Sequence, residues 1–208
     1  MPCNHKFKGD LNIDYSKTYN PTTLVVGTFN PEWPDNNSAN WFYGRIESNY
    51  FWNILPKIYN EESLLCSDES KWLQFCSKKK IAITDLIASI KSANKETHMS
   101  IISGYSDKSI QDNFKYDELE LVPITEILGS NRSIKHVYLT RSAKQGLWKN
   151  LWRPIKEYCD ENGLSCQELL TPSPYARYQY SKEEKERYSS LSEFIAGRWK
   201  AKWHSLES

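Results

Sequence analysis

Residues Leu24 to Trp52, LVVGTFNPEWPDNNSANWFYGRIESNYFW, crowd polar groups and flat rings into one stretch. An apolar run ends in Gly27, Thr28, Phe29, Asn30 and Pro31. Trp33, Trp41, Phe42, Tyr43 and Gly44 follow, and Asn49, Tyr50, Phe51 and Trp52 close the stretch. Aromatic faces stack on flat partners, so such density in a polar loop fits a pocket for a planar ring. The simpler reading of the same rings is core packing, and Phe51 and Trp52 favour it because they sit at helical spacing. Asp85 follows Thr84 at the end of a second apolar run, where a carboxylate can orient a water or read a ligand edge; its other reading is a cap on the next segment. Thr171-Pro172-Ser173-Pro174 makes a sharp break after another apolar run.

These groups need strands to hold them. Leu24 to Phe29 is apolar without alternation, as in a strand buried on both faces. Ile81 to Ile87, His136 to Thr140 and Leu164 to Leu170 read as three further strands. Helices are expected over 48–59, with Ser48 as N-cap and Pro56 forcing a kink or early end. Others are expected over 70–77, 106–114, 118–128, 142–159 and 181–203, the last capped by Ser181. Residues 1–21 read as an irregular lead-in and 88–105 as loop. Four strands separated by helices predict a three-layer α/β/α sandwich with a central four-stranded, mainly parallel sheet. In such folds ligands bind at the carboxyl edge of the sheet.

The 208 residues suffice for one sizeable core, so one domain over 1–208 is expected. A net charge of +1 gives no global polycationic signature, which leaves nucleic-acid binding to a local basic face. The five cysteines form no C-x-x-C pair, and the N-terminus lacks the apolar core of a secretory signal. Free thiols in a cytoplasmic protein are expected. No run approaches the roughly 20 apolar residues that span a bilayer, so no membrane partner is expected. The four histidines are isolated, with no metal-ligand spacing.

Three segments resemble the uracil-DNA glycosylase superfamily. Gly27-Thr28-Phe29-Asn30-Pro31 resembles its first motif, a Gly, then Asp or Asn, then Pro at a strand end. Thr171-Pro172-Ser173-Pro174-Tyr175-Ala176 resembles its second, commonly His-Pro-Ser-Pro-Leu-Ser. Tyr43-Gly44, then Asn49-Tyr50-Phe51-Trp52, is similar to the mismatch-specific and hypoxanthine-type branches. The resemblance covers residues 22 to 200. It implies a monofunctional enzyme that acts on DNA, probes one flipped-out nucleotide and hydrolyses its N-glycosidic bond without metal or cofactor. A water must be held under the sugar and charge stabilised on the departing base.

The resemblance carries over residue by residue, with departures. Two residues separate Gly27 from Asn30 where the family has one, so an ungapped match puts Phe29 at the catalytic position. Some hypoxanthine-type relatives use the Asn of Asn-x-Phe-Trp instead. The catalytic candidates are therefore Asn49, Asn30 and Asp85, with Asn49 slightly ahead. Locally, Asn30 also reads as a turn residue before Pro31 and Asn49 as a helix cap. Gly27, Thr28, Phe29, Tyr43, Phe51 and Thr171 are the candidates for enclosing the base. Thr171 stands where the family often has His or Asn and carries no charge. Ser173 and Pro174 are expected at phosphate, Tyr175 at the vacated stack, and Arg177 at phosphate or the orphaned base. The cysteine spacings do not match the iron–sulfur branches, so no cluster is expected. The alternatives are a glycosylase for modified bases of phage DNA, a non-catalytic nucleic-acid-binding module of the same fold, and an unrelated α/β enzyme. A monomer is expected; the target base is open.

Overall fold

The computed structural model describes residues 1–45 and 49–204. The chain opens with β1 (Cys3–Asn4), then two 3-10 turns and β2 (Thr23–Gly27). After the aromatic loop come α1 (Phe51–Ile58), α2 (Glu69–Lys79), β3 (Ile81–Asp85) and β4 (Ile87–Ile90). Then follow α3 (Lys95–Ile102), α4 (Asp107–Asn113), β5 (Leu119–Leu121), α5 (Ile124–Ser130) and β6 (His136–Leu139). The chain continues through α6 (Gly146–Glu161), β7 (Ser165–Glu168), α7 (Lys182–Arg187) and α8 (Leu191–Lys200).

The expected four-stranded sheet is present, in the order β3-β2-β6-β7 and parallel throughout. Every residue of β2 and β3 is buried, which is why their sequences are apolar without alternation. The edge strand β7 instead exposes Ser165 and Gln167. The crossover from β2 to β3 through α1 and α2 runs one way along the sheet; the crossover from β6 to β7 through α6 runs the other. Right-handed crossovers in opposite directions put their helices on opposite faces. In keeping with this, α8 packs on α1 and α5 on α6. The buried apolar residues of all these layers form one cluster.

Several element boundaries differ from the sequence expectation, each for a local reason. The run 81–87 is not one strand: it leaves the parallel sheet at Asp85, and β4 joins β1 and β5 in a second, antiparallel sheet. The N-terminal segment is therefore not an irregular lead-in, since β1 pairs with β4 and His5 bridges Pro31. The 88–105 stretch holds β4 and α3, whose Asn94 caps it by accepting the Glu96 N–H at 2.8 Å. Residues 118–128 are not one helix: Leu119–Leu121 pairs with β4, and α5 begins after Pro123. The C-terminal helix is two, with Ser181 and Ser190 each capping one. The proposed cap Ser48 lies outside the described residues.

Pro56 sits inside α1, and the helix ends at Ile58. Proline has no N–H for the Trp52 carbonyl one turn back. That carbonyl accepts the Leu64 N–H instead, at 2.8 Å.

Candidate active site

The strand register brings three chain segments to one level at the carboxyl edge. Gly27 pairs with Asp85 across β2 and β3, and Val26 with Leu139 across β2 and β6. Thr28, Asp85 and Thr140 therefore end side by side, and a cavity of about 410 Å³ opens above them. Its wall includes Phe29, Asn30, Tyr43, Arg45 and Asn49 on one side, Gly104 to Lys108 on another, and Thr171 to Tyr175 on a third.

Asp85 is 5% exposed and is tied to His5, whose Nε2 lies 2.7 Å from its Oδ2. The other ring nitrogen, Nδ1, accepts the Phe7 N–H at 3.0 Å and so carries no proton. The imidazole is thus neutral, and its Nε2–H donates to the carboxylate. Backbone hydrogen bonds fix His5 in place: its N–H donates to the Ala88 carbonyl at 2.8 Å, and the Lys6 N–H to the Asn30 carbonyl at 2.8 Å. The rings of Phe7, Phe29 and Phe42 surround it.

Gly27 lies under this carboxylate. A Cβ there would overlap the Asp85 Oδ1 and the Tyr43 hydroxyl, so close approach requires glycine. Tyr43 has φ of 57° and lines the cavity. Its hydroxyl is 2.7 Å from Thr140 Oγ1. Burial, with the Asp85 charge nearby, pushes the phenol well above its ordinary range. Phe51 stacks on the far side of Tyr43, 3.9 Å between centroids and 6° between planes. It is fully buried and does not reach the cavity, so the expectation that it encloses a ligand is corrected: it supports Tyr43.

Most other rings of the loop belong to the core. Trp52 stacks on Trp72 at 5.1 Å, and its indole N–H donates to the Phe42 carbonyl at 2.8 Å. Trp41 donates to Asp10 at 3.1 Å. Phe29 reaches the cavity wall but is 8% exposed and packs edge-on to His5.

The two asparagines are both at the cavity, and each has work for its oxygen. Asn49 Oδ1 accepts the Phe51 N–H at 2.8 Å, tying it to the start of α1. Asn30 Oδ1 accepts from the Arg45 guanidinium and from Asn37. Arg45 in turn lies flat over the Tyr105 ring, 3.3 Å from its centroid. Burial brings the Arg45 pKa down to about 10, against the opposing pull of Tyr105 and Asp85, so it stays charged at neutral pH.

On the opposite wall, Asp107 opens α4. Its Oδ1 accepts the Thr28 hydroxyl at 2.7 Å, and its Oδ2 pairs with Arg141 Nη1 at 2.7 Å. Burial pushes the Asp107 carboxyl up, while Arg141 and the Thr28 hydrogen bond oppose the shift. Arg141 also lies 4.1 Å from the Trp148 ring centroid.

The turn after β7 closes the third side. Thr171 and Ser173 hydroxyls are 3.0 Å apart, and the Tyr50 N–H donates to the Pro172 carbonyl at 2.6 Å. Pro174 to Gln179 form a 3-10 turn pinned by buried Ala176, which leaves Tyr175 63% and Tyr178 76% exposed. Residues three apart eclipse on such a turn, so both rings project from one side. Arg177 lies exposed, 5.3 Å from the Tyr178 ring centroid, and does not line the cavity.

Sequence reasoning missed His5, Arg45, Tyr105, Asp107 and Arg141. Only Arg45 carried a signal, because it sits two residues past Tyr43 in the stretch already singled out. Elsewhere His136 and His204 stack 4.0 Å apart, but among the described residues no three His, Cys, Asp or Glu side chains converge on a possible metal position.

No protein-family model and no curated protein matches the sequence. Among solved structures, the chain is similar to the solution structure of a Methanosarcina acetivorans protein provisionally assigned as a uracil DNA glycosylase. The likeness has 14% identity and a TM-score of 0.51, and covers 85% of this chain and 92% of that one. The shared feature is the fold, which in this chain is a four-stranded parallel sheet between helices.

Proposed function

We propose that the chain is a monofunctional DNA glycosylase that hydrolyses the N-glycosidic bond of a flipped-out base. The observation that supports it most is a buried carboxylate, Asp85, held by a neutral histidine at the floor of a cavity faced by the 171–175 turn. The cavity has room for one planar ring beside Tyr43, and both wall motifs from the sequence meet there.

In this reading Asp85, and not Asn49, holds the attacking water. A charged oxygen polarises water more strongly than an amide oxygen, and it stabilises positive charge growing on the sugar. Both Asn oxygens already accept hydrogen bonds, whereas Asp85, which lines the cavity, spends Oδ2 on His5 and has Oδ1 against Gly27 with no hydrogen bond from another described residue. Asn49 and Asn30 then shape the wall and offer amide N–H groups to the substrate. Phosphate and the vacated stack fall to Ser173, Tyr175 and Arg177. The enzyme acts on DNA as a cytoplasmic monomer, and the Tyr43-Gly44 and Asn49-x-Phe51-Trp52 segments align it with the mismatch-specific and hypoxanthine-type branch.

The test is base release from oligonucleotides carrying uracil, hypoxanthine, xanthine or modified cytosines, single- and double-stranded, with abasic sites revealed by alkali. Release on one substrate, lost in Asp85→Asn, supports the proposal; release of a modified cytosine alone would point to foreign DNA as the target. The second reading is a non-catalytic nucleic-acid-binding module, favoured by the engaged oxygens of Asn30 and Asn49. It predicts salt-sensitive DNA binding with no base released from any member of the panel.

A further inference from the structure

The mechanism above leaves one requirement without a residue. When the glycosidic bond breaks, its electron pair moves into the base, and charge collects on a ring carbonyl oxygen. Something in the cavity must meet that charge. Thr171 is neutral and shares its hydroxyl with Ser173. His5 sits behind Asp85 and is spent on it. Among the described residues lining the cavity, two carry a permanent positive charge, Arg45 and Lys108. Lys108 points outward to Asp112, with its side chain 82% exposed. Arg141 is turned toward Asp107 and Trp148.

We propose that Arg45 is a catalytic residue of this site, whose guanidinium donates to the carbonyl oxygen of the departing base. This rests on the glycosylase reading and requires a departing base with a ring carbonyl to take up the charge. The geometry is built for the role. One face of the guanidinium rests on Tyr105, and one Nη2–H is anchored on Asn30 Oδ1, so the fork is held in place before substrate arrives. Guanidinium has five N–H donors, and one anchor leaves others for the ligand. A cation fixed in advance costs no reorganisation during reaction.

The balance is that of hydrolysis. The water oxygen forms a bond to the sugar carbon and gives its proton to Asp85. The base leaves with the bonding pair, stabilised by Arg45, and takes a proton from solvent. Asp85 returns its proton to solvent.

The experiment compares wild type, Arg45→Met and Arg45→Lys on oligonucleotides carrying uracil or 5-fluorouracil, with hypoxanthine and adenine alongside. 5-Fluorouracil is the better leaving group and needs less stabilisation. Arg45→Met is expected to slow uracil release by ~100-fold or more, the scale of losing one charge-stabilising donor. Its loss on 5-fluorouracil should be at least tenfold smaller, and Arg45→Lys should recover part of the rate. Binding of abasic product and the melting temperature should stay close to wild type. Equal losses on both bases, an active Arg45→Met, or wild-type release of adenine alone would overturn the inference. If Asp85→Asn is dead while Arg45→Met keeps full activity, the glycosylase reading stands and this inference fails. If wild type releases no base at all, both fall.

Discussion

The Nε2–H of His5 donates to Oδ2 of Asp85 across 2.7 Å, joining residues 80 apart in sequence inside the wall of the cavity. The N-terminal segment is therefore part of the candidate active site. His5→Phe keeps a ring among Phe7, Phe29 and Phe42 but removes the donor. A buried polar group left without its partner costs roughly 1–3 kcal/mol, and a charged one more. We expect a lower melting temperature and base release reduced about tenfold or more, with His5→Gln, which can still donate, in between. Nitrogen-15 NMR should find the His5 imidazole protonated at Nε2 and bare at Nδ1; a proton at Nδ1 would contradict the arrangement.

Gly27→Ala tests the close approach of β2 to the site. The added methyl group must displace either the Asp85 carboxylate or the Tyr43 hydroxyl. Overpacking of this kind typically costs about 1–3 kcal/mol. Base release should fall more steeply than stability does, because both displaced groups face the cavity. Unchanged kinetics would show that neither group matters.

How much of this was legible in the sequence follows from range. Apolar runs marked β2, β3 and β6, because burial on both faces leaves no other pattern, whereas the edge strand β7 is the polar Ser165–Glu168 inside the expected 164–170. Asp85 at a strand end was legible for the same reason. The second sheet was not: β1 has two residues and β5 three, and their pairing with β4 is long-range. His5 and Asp107 were invisible as site residues, since nothing near either in sequence announces the partner it meets in space. The aromatic stretch was legible as a cluster but not by role. Trp41, Trp52 and Phe51 went to the core, and Tyr43 lines the cavity.

Acid stability gives a check independent of activity. Burial, with His136 alongside, brings the His204 pKa from its ordinary 6.5 down to about 4. The folded protein then binds fewer protons than the unfolded chain between those values, so stability is full above pH 6.5 and is lost as pH falls toward 4. His136 is lowered by burial in the same direction. His204→Phe, which keeps a ring against Trp203 and His136, should flatten the fall in melting temperature over that window. An unaltered pH profile would contradict the assignment.

Tyr175, Arg177 and Tyr178 stand exposed on the 174–179 turn, whose Tyr175 lines the cavity. Substituting them should leave the fold intact. Base–aromatic stacking contributes about 1–3 kcal/mol per base, so Tyr175→Ala should weaken oligonucleotide binding by roughly tenfold or more. Arg177→Ala should lower the salt dependence by about one phosphate contact. Fluorescence anisotropy across a salt series reads both, and identical binding curves would place the nucleic acid elsewhere.

In the proposed reaction Asp85 holds the water that cleaves the glycosidic bond. Single-turnover base release by wild type and Asp85→Asn, on the substrate identified from the panel, reads this role. The Asn variant keeps the shape and loses the charge, and a rate at least ~100-fold below wild type with DNA binding retained is the predicted result. An Asp85→Asn protein that releases base at the wild-type rate would take the water from Asp85 and return the role to Asn49 or Asn30.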